Sequence, residues 1–190
     1  MEMSDSVPEE IAYRVDEADN ICFVSEGWLA FARANGAPHL SADSIIGRKL
    51  WEFVTGREVA HLYRLLIGLV RSQRRAATVP FRCDSPEMRR YMELTISPVG
   101  GDIELRARLL REEKREPVHV LESTDARTEQ LVTICSWCKR VQGGENEWYD
   151  LEDALTRMPL MSEAPYPQLT HGICPYCAER LHEVLGDDIG

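Results

Sequence analysis

The chain has 190 residues, enough for one ordinary domain and a small second one. Hydrophobic residues at 44% and charged residues at 28% fit a globular protein, and no apolar run approaches the roughly 18–20 residues that cross a bilayer, so no membrane association is expected. The formal charge of −10 is concentrated late: residues 1–120 carry 17 basic against 19 acidic side chains and residues 121–190 carry 5 against 13, an excess that repels a phosphate backbone and excludes nucleic acid as the partner of that end.

Residues 1–10 hold Glu2, Asp5, Glu9 and Glu10 with no basic residue, which reads as a disordered leader rather than a secretory signal and points to a cytoplasmic protein. Tyr13–Asp16 and Ile21–Val24 are β-prone runs around an acidic turn, a hairpin signal. Ser25 is placed to cap a helix from about Gly27, with Trp28, Phe31 and Ala32 on one face and Asn35-Gly36 closing it. Ile45, Ile46, Leu50, Trp51, Phe53 and Val54 form an apolar patch expected as short helical turns. Residues 57–71 predict an amphipathic helix: Val59, Leu62, Tyr63, Leu66, Leu69 and Val70 share one arc. His61 falls opposite that arc with Arg64, so it is expected to face solvent, the wrong place for a haem ligand.

Three strands follow, over Ala77–Cys83, Met88–Pro98 and Asp102–Leu110, each alternating apolar and polar residues as half-buried antiparallel strands do. Charged residues Arg111–Glu116 and Pro117 are expected to close the unit. Residues 119–133 read as a linker, with a helix-compatible stretch over Thr124–Val132. Cys22 and Cys83, alone inside strand patterns, read as small core residues.

The other four cysteines form two pairs, Cys135-x-x-Cys138 and Cys174-x-x-Cys177, separated by 35 residues. Each pair closes a tight loop on one edge of a tetrahedral ion, and four thiolates satisfy zinc, so one structural Zn2+ per chain is expected. The second pair opens a helical continuation, Ala178–Leu185, whose positive end favours thiolate. Between the pairs lie a strand-like Glu147–Tyr149 and an amphipathic Leu151–Met158, a sequence of elements that suits a treble clef or a zinc ribbon. His171 is the candidate for a hydrogen-bonding neighbour of the site or an alternative ligand. Four thiolates leave no open coordination position, and no general-base motif accompanies them, so a zinc hydrolase is not expected.

The order of two strands, helices and three strands over residues 11–118, with Ile45-Ile46-Gly47-Arg48-x-Leu50-x-x-Phe53 inside it, resembles a PAS domain. Ser25 stands where PAS sequences commonly carry Asn, removing a local hydrogen-bonding side chain. Ile134–Lys139, Trp148–Leu155 and His171–Cys177 resemble a short Cys-rich element appended to PAS or receiver domains in bacterial signalling proteins, over about residues 134–182 of a zinc module expected to span 134–190. The resemblance implies an α+β protein: a PAS-like antiparallel sheet with helices on one face, then a small zinc module. It also implies a cavity for a small ligand, with Trp28, Phe31, Trp51, Phe53, Phe81 and Leu94 as candidate lining. No Asn-Cys-Arg-Phe signature of flavin photosensors is present. No kinase, cyclase or receiver sequence is present either, so a non-enzymatic sensor or dimerisation protein is expected, acting through a protein partner or a homo-oligomer. Two alternatives accompany it: a thiol switch that releases zinc on oxidation, and a regulator that binds a small molecule in the PAS cavity. Cys174-Pro-Tyr-Cys177 is identical to the glutaredoxin redox motif, but 13 residues after it supply too little scaffold for dithiol catalysis.

Overall fold

Asp16 organises the first turn. Its Oδ1 accepts hydrogen bonds from the Ala18 and Asn20 amides, and its Oδ2 accepts one from Asn20 Nδ2 at 2.9 Å. That turn joins β1 (Ile11–Val15) to β2 (Ile21–Val24), the expected hairpin. The computed structural model describes residues 10–54, 56–122 and 127–185, so the expected leader lies outside it except for Glu10. The register shifts within the hairpin: Arg14 pairs with Phe23 and Val15 with Ile21, which leaves Cys22 unpaired and exposed. Cys22 is therefore not a core residue; the bulge breaks the alternation on which that expectation rested. Cys83 is half-buried.

Ser25 caps α1 (Glu26–Ala34) by accepting from the Trp28 amide at 3.1 Å. The same hydroxyl accepts from the Ala12 amide at 3.0 Å and donates to the Glu10 carbonyl at 3.1 Å. The serine thus supplies the local hydrogen bonding that its departure from asparagine seemed to remove. A short α2 (Ala42–Ile45) and a 3-10 turn at Leu50–Glu52 lead to α3 (Arg57–Gln73), which buries Val59, Leu62, Leu66, Ile67 and Val70. His61 is exposed, as its position on the helix requires.

Strands β3 (Ala77–Arg82), β4 (Met88–Val99) and β5 (Asp102–Lys114) complete an antiparallel sheet in the order β2-β1-β5-β4-β3. Its inner face, with Val15, Val79, Leu94, Ile96, Ile103 and Leu105, packs in one core with α3. Its outer face is ionic: Glu104, only 4% exposed, sits between Arg14 and Arg106 at 2.8 and 2.7 Å. Strand β5 runs beyond the expected end at Leu110. A bulge leaves Leu110 between the pairs Met92–Leu109 and Tyr91–Arg111. Pairing then resumes with opposite charges facing each other, Arg90 with Glu112 and Arg89 with Glu113. The charged stretch continues the sheet because its partners carry the complementary sign.

The expected helix over Thr124–Val132 is instead mostly strand, with residues 123–126 outside the described ones. Strand β6 (Arg127–Cys135) pairs in parallel with β9 (Tyr166–Gly172), a strand the sequence reading did not anticipate. Thr128, Val132, Thr133 and Ile134 are β-branched, and burial of Val132 and Ile134 against the second sheet overrides helical compatibility. That sheet has the order β8-β7-β6-β9, with β7 (Val141–Gln142) and β8 (Trp148–Tyr149) antiparallel. At Gly143 a Cβ would lie 2.1 Å from the Tyr149 ring, so the hairpin closes only around glycine. Helix α4 (Leu151–Arg157) follows, and α5 (Pro175–Leu185) ends the described chain. Val118 and Val120 bury themselves in this second core with Leu151 and Met161.

Replacing Leu66, fully buried on α3, with Ala is expected to cost about 2–5 kcal/mol in a denaturant melt. Leu131→Ala, at a residue 67% exposed, should stay within about 0.5 kcal/mol. Equal losses at the two positions would contradict the placement of the core.

Candidate metal centre and the adjoining cavity

Two backbone devices bring the cysteines together. At the end of β6 the chain folds into a knuckle: the Cys135 amide donates to the Arg140 carbonyl at 2.7 Å and the Lys139 amide to the Cys135 carbonyl at 2.9 Å. Lys139 adopts the left-handed conformation, φ 65°, that such a tight return requires. After β9, Cys174 directly precedes α5, and Pro175 takes its first position, where a missing N–H costs nothing. Cys177 lies in the first turn. The parallel pairing of β6 with β9 places both ligand pairs at the same end of the sheet, because Cys135 pairs with Gly172.

The four sulfurs all lie within 4.8 Å of one another, close enough to hold a metal ion. Cys138 Sγ is 3.6 Å from Cys174 Sγ, far longer than the roughly 2.05 Å of a disulfide. The Cys174 amide donates to Cys135 Sγ at 3.4 Å. Hydrogen bonds from Cys138, Cys174 and Cys177 push the Cys135 thiol pKa down, whereas Cys177, facing Cys135 and the other two, is pushed up. Cys174 is also held down, at about 7, while Cys138 is pushed up by its sulfur neighbours, so two of the four are favoured as thiolates and a full set is opposed by mutual repulsion. A bound cation removes that opposition, and this is the donor set's clearest chemical preference.

His171 stands on β9, half-buried, and the sulfurs meet without it. Burial, with Lys139 nearby, holds its pKa down. Knuckle, hairpin and ligand-bearing helix come in this order, with α4 and the parallel strand β9 between the last two.

The knuckle presses on the first sheet. The Arg82 amide of β3 donates to the Trp137 carbonyl at 2.6 Å, and the Trp137 ring, 5% exposed, lies 5.5 Å from that of Tyr63 on α3. Cys135, Trp137, Cys174, Cys177 and Leu181 accordingly share one core with α3 and the first sheet. A second tie is ionic. Asp84 accepts from Arg82 and from Arg115 at 3.0 Å, and Arg115 also reaches Glu152 of α4 at 3.0 Å. Arg89 of β4 contacts the same Glu152 carboxylate.

Two cavities lie between the first sheet and its helices. The larger, about 320 Å³, is lined by Tyr13, Ile21, Trp28, Phe53, Tyr63 and others, and by Ser136 of the knuckle. The smaller, about 140 Å³, is lined by Trp28, Phe31, Phe81, Cys83 and Leu94 among others. Five of the six candidate lining residues therefore face a cavity. Trp51 does not line either one: its Nε1 donates to Asp19 at 3.0 Å and its ring lies under the Arg64 guanidinium at 4.2 Å. Tyr13, Tyr63 and Ser136 were not anticipated. Ser136 and Trp137 carry a signal only in retrospect, since residues between two ligands turn outward unless a second body covers them.

No family model and no curated protein matches the chain. Among solved structures it is similar to a domain of an HTR-like protein from Haloarcula marismortui ATCC 43049, with 16% identity, a TM-score of 0.41, and coverage of 55% of this chain and 100% of that one. It is also similar to the PAS domain of the Cronobacter turicensis quorum-sensing receptor RpfR. In complex with BDSF that domain gives 13% identity, a TM-score of 0.39 and coverage of 56% and 99%. In complex with C12:0 it gives 13%, 0.40, 56% and 99%. These are distant likenesses. The PAS-like description rests on the chain's own sheet order and on the helices packed against one face.

The ionic tie yields a pH prediction. Burial opposes the Glu152 carboxylate, but hydrogen bonds from Arg89 and Arg115 outweigh it and hold the pKa at about 2. A folded-state pKa below the unfolded value of about 4.3 contributes stability above that value, lost as pH falls through the folded one. Glu152→Gln should therefore be less stable than wild type at pH 7, by about 1 kcal/mol or less for a group this exposed. The gap between the two proteins should close between about pH 4.3 and 2. A gap that does not change with acid would show that Glu152 contributes no ionic tie.

Proposed function

We propose that this chain is a non-enzymatic signal-transduction module of the cytoplasm, in which a PAS-like sensor unit is coupled to a structural four-cysteine zinc site and hands its signal to a protein partner or a second copy. The observation that carries the reading is the sulfur cluster. A tetrahedral zinc with bonds of about 2.3 Å has sulfur–sulfur edges of about 3.8 Å. The 3.6 Å between Cys138 and Cys174 matches that edge, and all four sulfurs lie within 4.8 Å of one another. Four thiolates fill the shell of zinc and leave no position for a reacting water, which supports a structural role over a hydrolytic one.

The charge supports a protein rather than a nucleic-acid partner, because the metal-binding end carries most of the net −10. Among the described residues no helix is long and apolar enough to cross a membrane. The proposed extents are 11–118 for the sensor unit and 134–190 for the zinc module. The last residue of the sensor unit, Val118, and Val120 of the connection lie in the second core, and the connection begins the strand that delivers Cys135. Transmission between the units then runs through packing rather than through a free linker.

A native mass spectrum of protein purified without added metal or chelator, set against its denatured mass, should show an excess matching one zinc. Cys135→Ser should lose that mass and expose amides on both sides of the shared core, because Cys135 is fully buried within it. A native mass short of zinc, with the loss expected for disulfides, would sink the proposal and favour oxidative switching of the thiols.

A further inference from the structure

The knuckle covers the free edge of the first sheet only in part. Cys83, just past β3, donates to the Arg90 carbonyl of β4 at 3.0 Å, whereas Arg82 donates outward to Trp137. Antiparallel strands alternate in this way, so Ala77, Val79 and Phe81 bond to β4 and Thr78, Pro80 and Arg82 turn their backbone groups to the open side. Among the described residues, the bond from Arg82 is the one backbone hydrogen bond made on that side. The Thr78 N–H and carbonyl and the Pro80 carbonyl remain, at two exposed residues. Proline has no N–H, which limits the edge to a short added strand and opposes pairing with the same edge of a second copy.

A groove of about 330 Å³ lies beside this edge, with β3 on one side and α5 on the other, and no residue of α1 or α3 lines it. Leu110, set out of the ladder by the bulge, is 50% exposed in it, and Tyr176 is 52% exposed. Trp137 and Leu181, both buried, supply further apolar wall. Both tyrosines of the groove are flanked by arginine. Tyr91 carries the guanidiniums of Arg82 and Arg111 at 5.7 and 4.3 Å, and Tyr176 those of Arg140 and Arg180 at 5.6 and 5.8 Å. Arg82 is committed to Asp84 and Arg140 to Asp150. Arg111, 61% exposed, pairs with its strand neighbour Glu113. Arg180 is exposed and makes no ion pair among the described residues; it donates to the Tyr176 hydroxyl at 3.3 Å. One acidic residue, Glu183, lines the groove. In a chain of net charge −10, this local surplus of arginine selects an anionic occupant.

We propose that this groove docks an extended acidic segment of a protein partner, which adds a short strand to β3, sets apolar side chains against Leu110 and Trp137, and presents carboxylates to Arg111 and Arg180. The inference deepens the partner reading above and rests on it. Successive side chains of a strand point to opposite faces, so one segment meets the apolar wall and the arginines in turn while its backbone engages Thr78 and Pro80. Trp137 and Cys138 of the knuckle belong to the groove, so its shape depends on the metal that orders the knuckle.

Random dodecapeptides displayed on phage are selected on the full zinc-loaded chain, and the most enriched one is measured by fluorescence anisotropy. The zinc content of every protein is read by native mass. Enriched peptides should be acidic with interspersed apolar residues, and their binding should weaken as salt rises. Arg111→Glu and Arg180→Glu should each keep one zinc and weaken binding about tenfold or more. Leu131→Asp, at an exposed residue that does not line the groove, should leave binding unchanged. Methylating every second backbone nitrogen of the peptide should abolish binding in one phase and spare it in the other, as an added strand requires. Enrichment of basic or uncharged peptides, no enrichment, or binding undiminished in both arginine variants would overturn the inference and leave a zinc-bearing chain intact. Dimers of the wild type that Arg180→Glu dissolves would assign the groove to a second copy. A chain ending at Leu185 that binds the peptide about tenfold tighter would assign it to residues 186–190; either result overturns the partner. A purified chain without zinc would overturn the metal reading, and the docking inference with it.

Discussion

The hydrogen bond from the Arg82 amide to the Trp137 carbonyl joins two units that could otherwise exist side by side. Arg82 ends β3, the last strand of its sheet, whose outer edge carries backbone groups that invite another strand. The knuckle meets that edge with a carbonyl and an indole, so the metal-binding turn doubles as an edge cover. Trp137 then packs on Tyr63, and α5 follows it against α3 and β3. The consequence is a core that does not respect the boundary between units: Leu66 and Cys177 belong to the same buried cluster.

Charge complements this packing at the other end of the contact. Asp84, with a side chain only 1% exposed, accepts from two arginines, and one of these reaches on to α4. A buried carboxylate with that many donors is satisfied, and its arginines are held in one geometry. The apolar contact near Trp137 joins the two units in one buried cluster, and the arginine–carboxylate chain holds the orientation in which that contact is made.

Much of this was legible in the chain before its structure. Periodicity exposed α3 and the inner faces of β4 and β5, because the apolar side chains of each fall on one face. Two C-x-x-C pairs disclosed the sulfur cluster, because zinc chemistry imposes a local spacing that survives any fold around it. What escaped was what depends on distant partners. Cys22 looked like a core position because a bulge is invisible without the opposite strand. Arg111–Lys114 looked like a terminus because only the facing residues of β4 make it a ladder. Strand β9, with Pro167 inside it and Tyr166 and Leu169 out of phase, carries no alternation, and β6 resembled a helix until β9 supplied its neighbour. Ser136 and Trp137 gain meaning only from the surface they touch, and Trp51 was diverted from the cavity by Asp19 and Arg64.

The parallel pairing of β6 and β9 explains why the two cysteine pairs stand so far apart in sequence. Strands that run the same way need a crossover, and here the crossover contains a hairpin, a short helix and a 3-10 turn. Geometry constrains only its two ends: a knuckle after the first strand and a helix start after the second. The excursion between them can lengthen or shorten without moving a sulfur. Kinship among such chains is therefore better sought by what flanks each pair than by the distance that separates them.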